Sequence, residues 1–201
     1  MSQASSEPRQ TDRRRAEIAA ATRSLIAERG FEGLRMRDIA ERVGINIATL
    51  HYHVPSKEAL VELVAQSLRD EFRAQFARHS REGLSGMEQL RLEFADFRET
   101  LTLNNEAFIV MAELASRGKR DARIGAVMQP LHAYWSRMIA DVVERGSKDG
   151  SIRAGLDPQA TAAIVIGGMI GSQRATSDPI AFFDTVALQL ERLLAPSSQQ
   201  V

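Results

Sequence analysis

The stretch that decides the fold is 36–53, which reads MRDIAERVGINIATLHYH. Its first apolar residues, with Ile39 and Ala40 at the centre, repeat at helical spacing and predict a short helix over 36–43 that ends at Gly44. Asn46 can cap a second helix over 47–53, because its side chain can accept a hydrogen bond from an amide of the first turn. Two short helices joined by a tight glycine turn form a helix-turn-helix.

The second of these helices is expected to expose small, flat or hydrogen-bonding side chains. With Ile45, Leu50 and Val54 packed against the first helix, the outward face carries Ile47, Ala48, Thr49, His51, Tyr52 and His53. No long acidic side chain interrupts this face, which therefore suits the major groove of DNA. Lys57 and the amides at the start of the next helix can meet phosphate.

The rest of the chain is also predicted to be helical. Apolar spacing predicts helices near 12–29, 56–78, 121–146, 159–175 and 180–194, and two more around Leu90–Leu101 and Phe108–Ala115. Pro130 predicts either a kink in the 121–146 helix or its division into two, and 146–158 is the clearest loop. No strand or internal repeat is visible, so the predicted fold class is all-α with about nine helices.

Composition excludes several classes of protein. The chain has 201 residues, 26 basic and 26 acidic side chains and no cysteine. Disulfides, thiolate metal sites and a cysteine nucleophile are therefore excluded. Residues 1–60 hold ten basic and eight acidic side chains, net +2, whereas 61–201 hold sixteen and eighteen, net −2. This near-neutral balance argues against indiscriminate electrostatic binding of nucleic acid.

Around the helix-turn-helix the chain resembles the TetR family of one-component transcriptional regulators. The matching text is ERGFEG from Glu28, RDIAERVG from Arg37 and ATLHYHVPSKEAL from Ala48, within a stretch of about 45 residues. The polar residues 1–10 are expected to form a flexible tail. The resemblance implies a three-helix DNA-binding domain at 11–56. It also implies a helical ligand-binding and dimerisation domain at 57–201.

The resemblance implies roles for single residues of the DNA-binding domain. Arg37 matches a position that reaches a base or a phosphate, and Ile47, Ala48 and His51 match positions that read bases. Positions that hold the DNA backbone are matched by Thr49, Tyr52, His53 and Lys57. With Arg35 and Asn46 added, the candidate DNA-binding set is Arg35, Arg37, Asn46, Ile47, Ala48, Thr49, His51, Tyr52, His53 and Lys57.

Two departures from the family pattern change these expectations. The family usually has Tyr where His51 stands, so its base preference cannot be transferred. It usually has Thr and Ser where Leu34 and Arg35 stand, so the cap of the first motif helix is expected to be weaker or differently made. Arg35 then becomes a candidate phosphate contact.

Two other groups of charged or metal-binding side chains have competing interpretations. The run Arg13–Arg15 is either an arm for the minor groove or a solvated charge run, and the second is favoured. His51 and His53 lie two residues apart and point about 200° from each other on a helix, so they cannot chelate one metal. No metal site and no cofactor are predicted.

Aromatic and methionine side chains recur after residue 60, and they indicate core packing, a small-molecule pocket or both. The candidate ligand-binding residues are Phe72, Phe76, Phe94, Phe97, Phe108, Met111, Trp135, Met138 and Met169. Few charges fall among them, which favours a mostly apolar ligand.

Three glycines in one apolar helix predict a close approach by another helix, because each costs about 1 kcal/mol relative to alanine. The family resemblance makes the last two helices a dimer interface, whereas a crossing within one chain is the alternative. The candidate interface residues are Ile164, Gly167, Gly168, Gly171, Leu190 and Leu194.

These features predict a ligand-responsive transcriptional regulator, expected to be a repressor. It would bind a near-palindromic operator as a homodimer and be released by a small, mostly apolar molecule. The alternatives are an activator with the same DNA-binding domain and a helical adaptor that binds another protein. No nucleophile elbow, phosphate loop or metal set predicts an enzyme. No apolar stretch reaches the roughly 20 residues of a bilayer span, and the chain is expected to be cytoplasmic.

Overall fold

The computed structural model describes residues 10–173 and 178–196. Within these ranges the chain forms nine α-helices and no strand, so the all-α prediction is confirmed. The helices are α1 (Gln10–Arg29), α2 (Met36–Val43), α3 (Ile47–His53), α4 (Lys57–Phe76), α5 (Gly86–Leu103), α6 (Asn105–Gly118), α7 (Ala122–Asp149), α8 (Pro158–Ser172) and α9 (Pro179–Leu194). In these ranges, no helix combines the length and apolarity that crossing a membrane requires.

Helix α7 decides between the alternatives predicted at Pro130, and it ends later than predicted. It continues through Pro130 as one helix, so the division into two does not occur. It also extends to Asp149, which places Gly146 inside the helix and shortens the predicted loop to 150–157. The chain reverses at Gly150, whose φ of 78° favours glycine. The side chain of Ile152 then lies against Gly146.

The described chain forms two compact units. The first, called unit 1, comprises residues 10–73 and Glu106–Gln129, and the second, unit 2, comprises Ala74–Asn105, 130–173 and 178–196. This division follows compactness, and the boundary predicted between 56 and 57 remains a prediction about function. Apart from Gln10, where α1 begins, the predicted tail lies outside the described residues.

Unit 1 is built on a core that fixes the first three helices. Helix α1 packs on α2 and α3, and α2 packs on α3. Each large apolar side chain that leaves water contributes about 1.5–3 kcal/mol, so these contacts hold α3 in a defined orientation. Buried side chains of this core include Ile18, Leu25, Ile26, Ile39, Leu50, Val54, Leu60, Val64 and Leu68.

Unit 2 has its own core around α9, on which both α5 and α8 pack. Helix α5 also approaches α7 closely, since a Cβ on Gly86 would lie 2.3 Å from the Cα of Gly146. Any larger residue at position 86 would therefore displace backbone. The core is filled by Leu90, Phe94, Phe97, Ile139, Val143, Ile152, Val165, Met169 and Phe183.

A buried charge cluster joins the loop before α5 to that helix. The Arg81 guanidinium lies 2.7 Å from a carboxylate oxygen of Glu93 and 3.1 Å from one of Asp96. It also stacks 3.4 Å from the centre of the Phe76 ring. Burial raises the pKa of both carboxyl groups, although Arg81 acts in the opposite direction. One cation thus serves two carboxylates that have left water.

Candidate nucleic-acid interface

The turn between α2 and α3 has the geometry that the sequence predicts. Gly44 adopts a φ of 71° and a ψ of 35°, the left-handed conformation that glycine reaches without steric cost. The Ile45 amide donates to the carbonyl oxygen of Ala40 at 2.9 Å, which closes the end of α2. The Asn46 side chain then accepts a hydrogen bond of 2.7 Å from the Thr49 amide and caps α3.

The start of α2 is made without a side-chain cap. Arg35 occupies the N-cap position in extended conformation, and its side chain forms no capping hydrogen bond. The expected weakness of this cap is therefore confirmed. Arg35 and Arg37 are both exposed. Neither forms an ion pair with a described carboxylate, which leaves both cations available at the surface.

Helix α3 divides cleanly between a buried face and an exposed face. Leu50 is fully buried, as is Val54 directly after the helix. Tyr52 is 82% exposed and Ile47 39% exposed, although both are large apolar side chains. Ala48 and His51 are exposed too, whereas Thr49 and His53 are half-buried. A helix that presents uncharged groups to water beside free arginines can enter a groove of DNA.

The C-terminal end of α3 is held by a residue that the sequence alone did not single out for this role. Arg15 of α1 donates a hydrogen bond of 2.9 Å to the carbonyl oxygen of His53. Its neighbours Arg13 and Arg14 both form ion pairs with Glu17. The arginine run is thus partly paired, and no local pattern could have indicated Arg15, because its partner lies 38 residues away.

Lys57 lies at the first position of α4, after the Ser56 cap. The Ser56 hydroxyl accepts a hydrogen bond of 3.1 Å from the Ala59 amide, as the sequence predicts. The Lys57 ammonium group lies 5.5 Å from the centre of the Phe31 ring, at the turn between α1 and α2. The beginnings of α2 and α4 therefore border α3 with exposed cations.

Known proteins are similar to this chain in both sequence and fold. Residues 18–64 match the family described as bacterial regulatory proteins, tetR family. Residues 18–64 therefore form a DNA-binding domain of the TetR type. The HTH-type transcriptional repressor KstR2 of Rhodococcus jostii is 26% identical over 144 residues, which are 72% of this chain and 70% of KstR2.

Two further transcriptional regulators are similar to this chain, one in sequence and one in structure. The HTH-type transcriptional regulator UidR of Escherichia coli is 27% identical over 157 residues, 76% of this chain and 76% of UidR. A TetR-family transcriptional regulator from Agrobacterium tumefaciens has a structure that matches with a TM-score of 0.80 at 26% identity. That match covers 92% of this chain and 100% of the other. The chain therefore carries an N-terminal helix-turn-helix of the TetR type and shares its fold with TetR-family transcriptional regulators.

The candidate ligand-binding residues divide between the two units. Phe72, Phe108 and Met111 belong to unit 1, and the other six belong to unit 2. In unit 2, Phe97 stacks on Trp135 with ring centres 6.3 Å apart and lies 4.9 Å from Phe183. Phe183, which the sequence analysis did not select, is almost fully buried. The role of the nine residues in ligand binding remains a prediction.

The candidate dimer residues lie on two different faces. Leu190 and Leu194 are buried, and a Cβ on Gly168 would lie 3.4 Å from Leu190, so these three pack α8 on α9 within the protomer. Gly167 and Gly171 are exposed, and a Cβ on either would meet no atom of the described ranges within 4 Å. A groove of about 360 Å³ follows this outer face and is lined by His132, Ser136, Ala163, Ile166, Gly167, Ile170 and Gly171.

Proposed function

We propose that this protein is a TetR-family repressor that binds a near-palindromic operator as a homodimer and is released by a small molecule. The observation that carries the proposal is the exposed face of α3, bordered by the cations of α2 and α4. Its relative KstR2 is named a transcriptional repressor, which supports repression over activation. The proposal implies action in the cytoplasm, where the operator DNA is.

Base reading in this proposal belongs to the first and middle residues of α3. Ile47 and Ala48 contact thymine methyl groups, and a ring nitrogen of His51 bonds the edge of a purine. Tyr52, Lys57 and Arg37 contact phosphates and set the register of the helix in the groove. The buried face of α3 and the bond from Arg15 to His53 keep this helix in one orientation.

The homodimer is proposed to form on the outer face of α8 and α9. Ile164 is 65% exposed and Leu193 is 61% exposed, so two large aliphatic side chains of this face lie in water. A partner surface would remove them from water. The open glycines Gly167 and Gly171 would let a partner helix approach closely. With two protomers related by a two-fold axis, the two α3 helices can enter successive major grooves, about 34–36 Å apart.

Release by ligand requires different affinities for two states of the dimer. The ligand is proposed to bind among the candidate aromatic and methionine side chains of unit 2, where Phe97 stacks on Trp135. It would favour a state with different spacing of the two α3 helices. Such coupling is typically about 1–3 kcal/mol, and it is reciprocal. Operator DNA must therefore weaken ligand binding by the same factor as the ligand weakens DNA binding.

Selection of duplex DNA from a random pool by the full-length protein tests the DNA-binding proposal. We expect enrichment of a near-palindromic sequence. Tyr52→Ala and Lys57→Ala should weaken binding to every sequence, whereas His51→Gln should change the preferred base at one position of each half-site. The matched control is Arg73→Ala, an exposed cation near the end of α4 that should leave binding unchanged. Failure to enrich any DNA would favour the adaptor alternative.

The dimer is tested by mass measurement in solution. Ile164→Glu and Leu193→Glu should convert the dimer into monomers, because each would place a charge in an apolar interface. Leu103→Glu is the control, since Leu103 is 76% exposed at the end of α5 and outside the proposed face. A dimer that survives both changes on α8 and α9 would contradict this interface.

A further inference from the structure

We propose that the turn between α6 and α7 is a second contact with the DNA backbone, separate from the helix-turn-helix. This inference rests on the proposed function. The segment 117–123, here called the basic turn, reads RGKRDAR. It carries four basic and one acidic side chain, net +3, in a chain whose total formal charge is zero. The basic turn is thus a local concentration of positive charge in unit 1.

The basic turn is tied to the start of α4. A guanidinium nitrogen of Arg123 lies 3.0 Å from a carboxylate oxygen of Glu58, the residue after Lys57. Hydrogen bonds from its own backbone amide and from Ser56, together with Arg123, lower the pKa of Glu58. Glu58 therefore stays ionised at neutral pH and keeps the basic turn next to the proposed phosphate contact at Lys57.

A second ion pair ties the basic turn to the segment before α2. Arg117 pairs with Glu32, which lies in the turn between α1 and α2. The same turn contributes Phe31, whose ring lies under the Lys57 ammonium group. Arg35, at the start of α2, follows three residues after Glu32. The basic turn thus lies beside both helix starts that the proposed function assigns to the DNA backbone.

The course of α6 explains this position. At the beginning of α6, Glu106 lies 3.3 Å from Arg23, which also pairs with Glu71 in the last part of α4 at 2.6 Å. Beyond its end, Arg123 meets the first turn of α4. Helix α6 therefore runs beside α4 in the opposite direction, and it delivers the basic turn to the end of α4 that borders α3.

Two cations of the basic turn remain available to a partner. Arg117 and Arg123 hold the turn in place through their carboxylates, whereas Lys119 and Arg120 are exposed. Among the described residues, no carboxylate pairs with either of them. A DNA phosphate is the anion that the proposed function brings to this edge of unit 1. An exposed cation and a phosphate attract each other over about 8–10 Å at moderate salt. A symmetric dimer would supply four such cations.

The experiment uses the selected operator and the full-length variant Lys119→Ala/Arg120→Ala. The logarithm of the dissociation constant is measured against the logarithm of salt concentration, because each lost phosphate contact lowers that slope by about 1. We expect the slope to fall by about 2–4 for the dimer. The control Arg145→Ala/Lys148→Ala removes the same charge from an exposed part of α7 in unit 2, and Lys119→Arg/Arg120→Lys keeps the charge.

Ethylation of single phosphates locates the contact. Ethylation of the contacted phosphates should weaken binding of the wild type and have no effect on binding of the Lys119→Ala/Arg120→Ala variant. The phosphates to which Lys57→Ala becomes insensitive should be different ones. The Lys119→Ala/Arg120→Ala and Lys57→Ala variants should melt at the wild-type temperature, because the altered side chains are exposed. An unchanged salt slope, or a change equal to that of the unit 2 control, overturns the contact. A wild type that enriches no DNA overturns the proposed function, and this contact with it.

Discussion

Two carboxylates, one in each unit, differ in how their pKa responds to an arginine partner. In unit 1, Glu28 forms an exposed ion pair with Arg42 at 2.9 Å, and hydrogen bonds from Arg42 and Ser24 lower its pKa to about 2. In unit 2, Glu93 pairs with Arg81 at 2.7 Å, yet burial raises its pKa. Water makes the difference, because it solvates the charged form in the first case and is excluded in the second.

This contrast matches what each unit is proposed to do. Exposed ion pairs contribute little to stability and can exchange partners, which suits a surface that must give up water and counterions to phosphate. A buried cluster is costly to form and more costly to break, so it fixes a loop in one conformation. The same residue types therefore form an exchangeable pair at the surface of unit 1 and a fixed cluster inside unit 2.

The largest effect is expected from Arg81→Met in unit 2. This change leaves Glu93 and Asp96 buried without their cation, and breaking a buried pair typically costs about 3–5 kcal/mol. Unfolding by denaturant at pH 7 measures the loss, which should shrink at lower pH as the two carboxyl groups become neutral. The control is Arg98→Met, which removes the exposed pair with Asp184 and should cost much less. Equal losses would contradict the contrast between buried and exposed ion pairs.

A smaller, pH-dependent effect is expected from Glu93→Gln. The folded protein binds a proton on Glu93 more readily than the unfolded chain does, because burial raises the pKa above its ordinary value of 4.5. Wild-type stability from this group should therefore fall as pH rises from 4.5 through the raised pKa. Glu93→Gln should flatten that part of the stability profile, and Asp96 should keep the remainder of the slope. Parallel profiles for the two proteins would show that Glu93 is not responsible.

The smallest effect is expected from Glu28→Gln in unit 1. The lowered pKa means that the contribution of Glu28 is present above its ordinary value of 4.5 and is lost as pH falls through about 2. At neutral pH the exposed pair should matter little to unfolding, since solvent screens it. Titration of the Glu28 carboxyl signal by NMR checks the pKa directly. A midpoint near the ordinary value would remove the unit 1 side of the comparison.

The helix-turn-helix was predictable from sequence because its determinants are local. The bounds of α2 and α3, the left-handed Gly44 and the Asn46 cap all follow from residues within four positions of one another. The contact between Arg15 and His53 and that between Gly86 and Gly146 were not predicted. Each joins residues far apart in the chain, and no spacing rule connects them.

The last two helices show the same limit within one pattern. Three glycines in α8 predicted a close approach by another helix, and the prediction could not tell which helix each glycine would meet. Among the described residues, Gly168 lies against α9, whereas Gly167 and Gly171 face outward. Because helical residues one position apart point about 100° from each other, neighbouring glycines belong to different faces.

By itself, the sequence determined the all-α class, the helix-turn-helix and the resemblance to the TetR family, because helical periodicity, caps and turn residues act over a few neighbouring positions. Only the tertiary structure decided which charges are buried and which are exposed. Arg81 and Arg42 are equivalent cations in the sequence. Packing alone places Arg81 between two buried carboxylates and leaves Arg42 with an exposed one. Tertiary structure also brought 117–123 beside the starts of α2 and α4, through ion pairs between residues 65 and 85 positions apart.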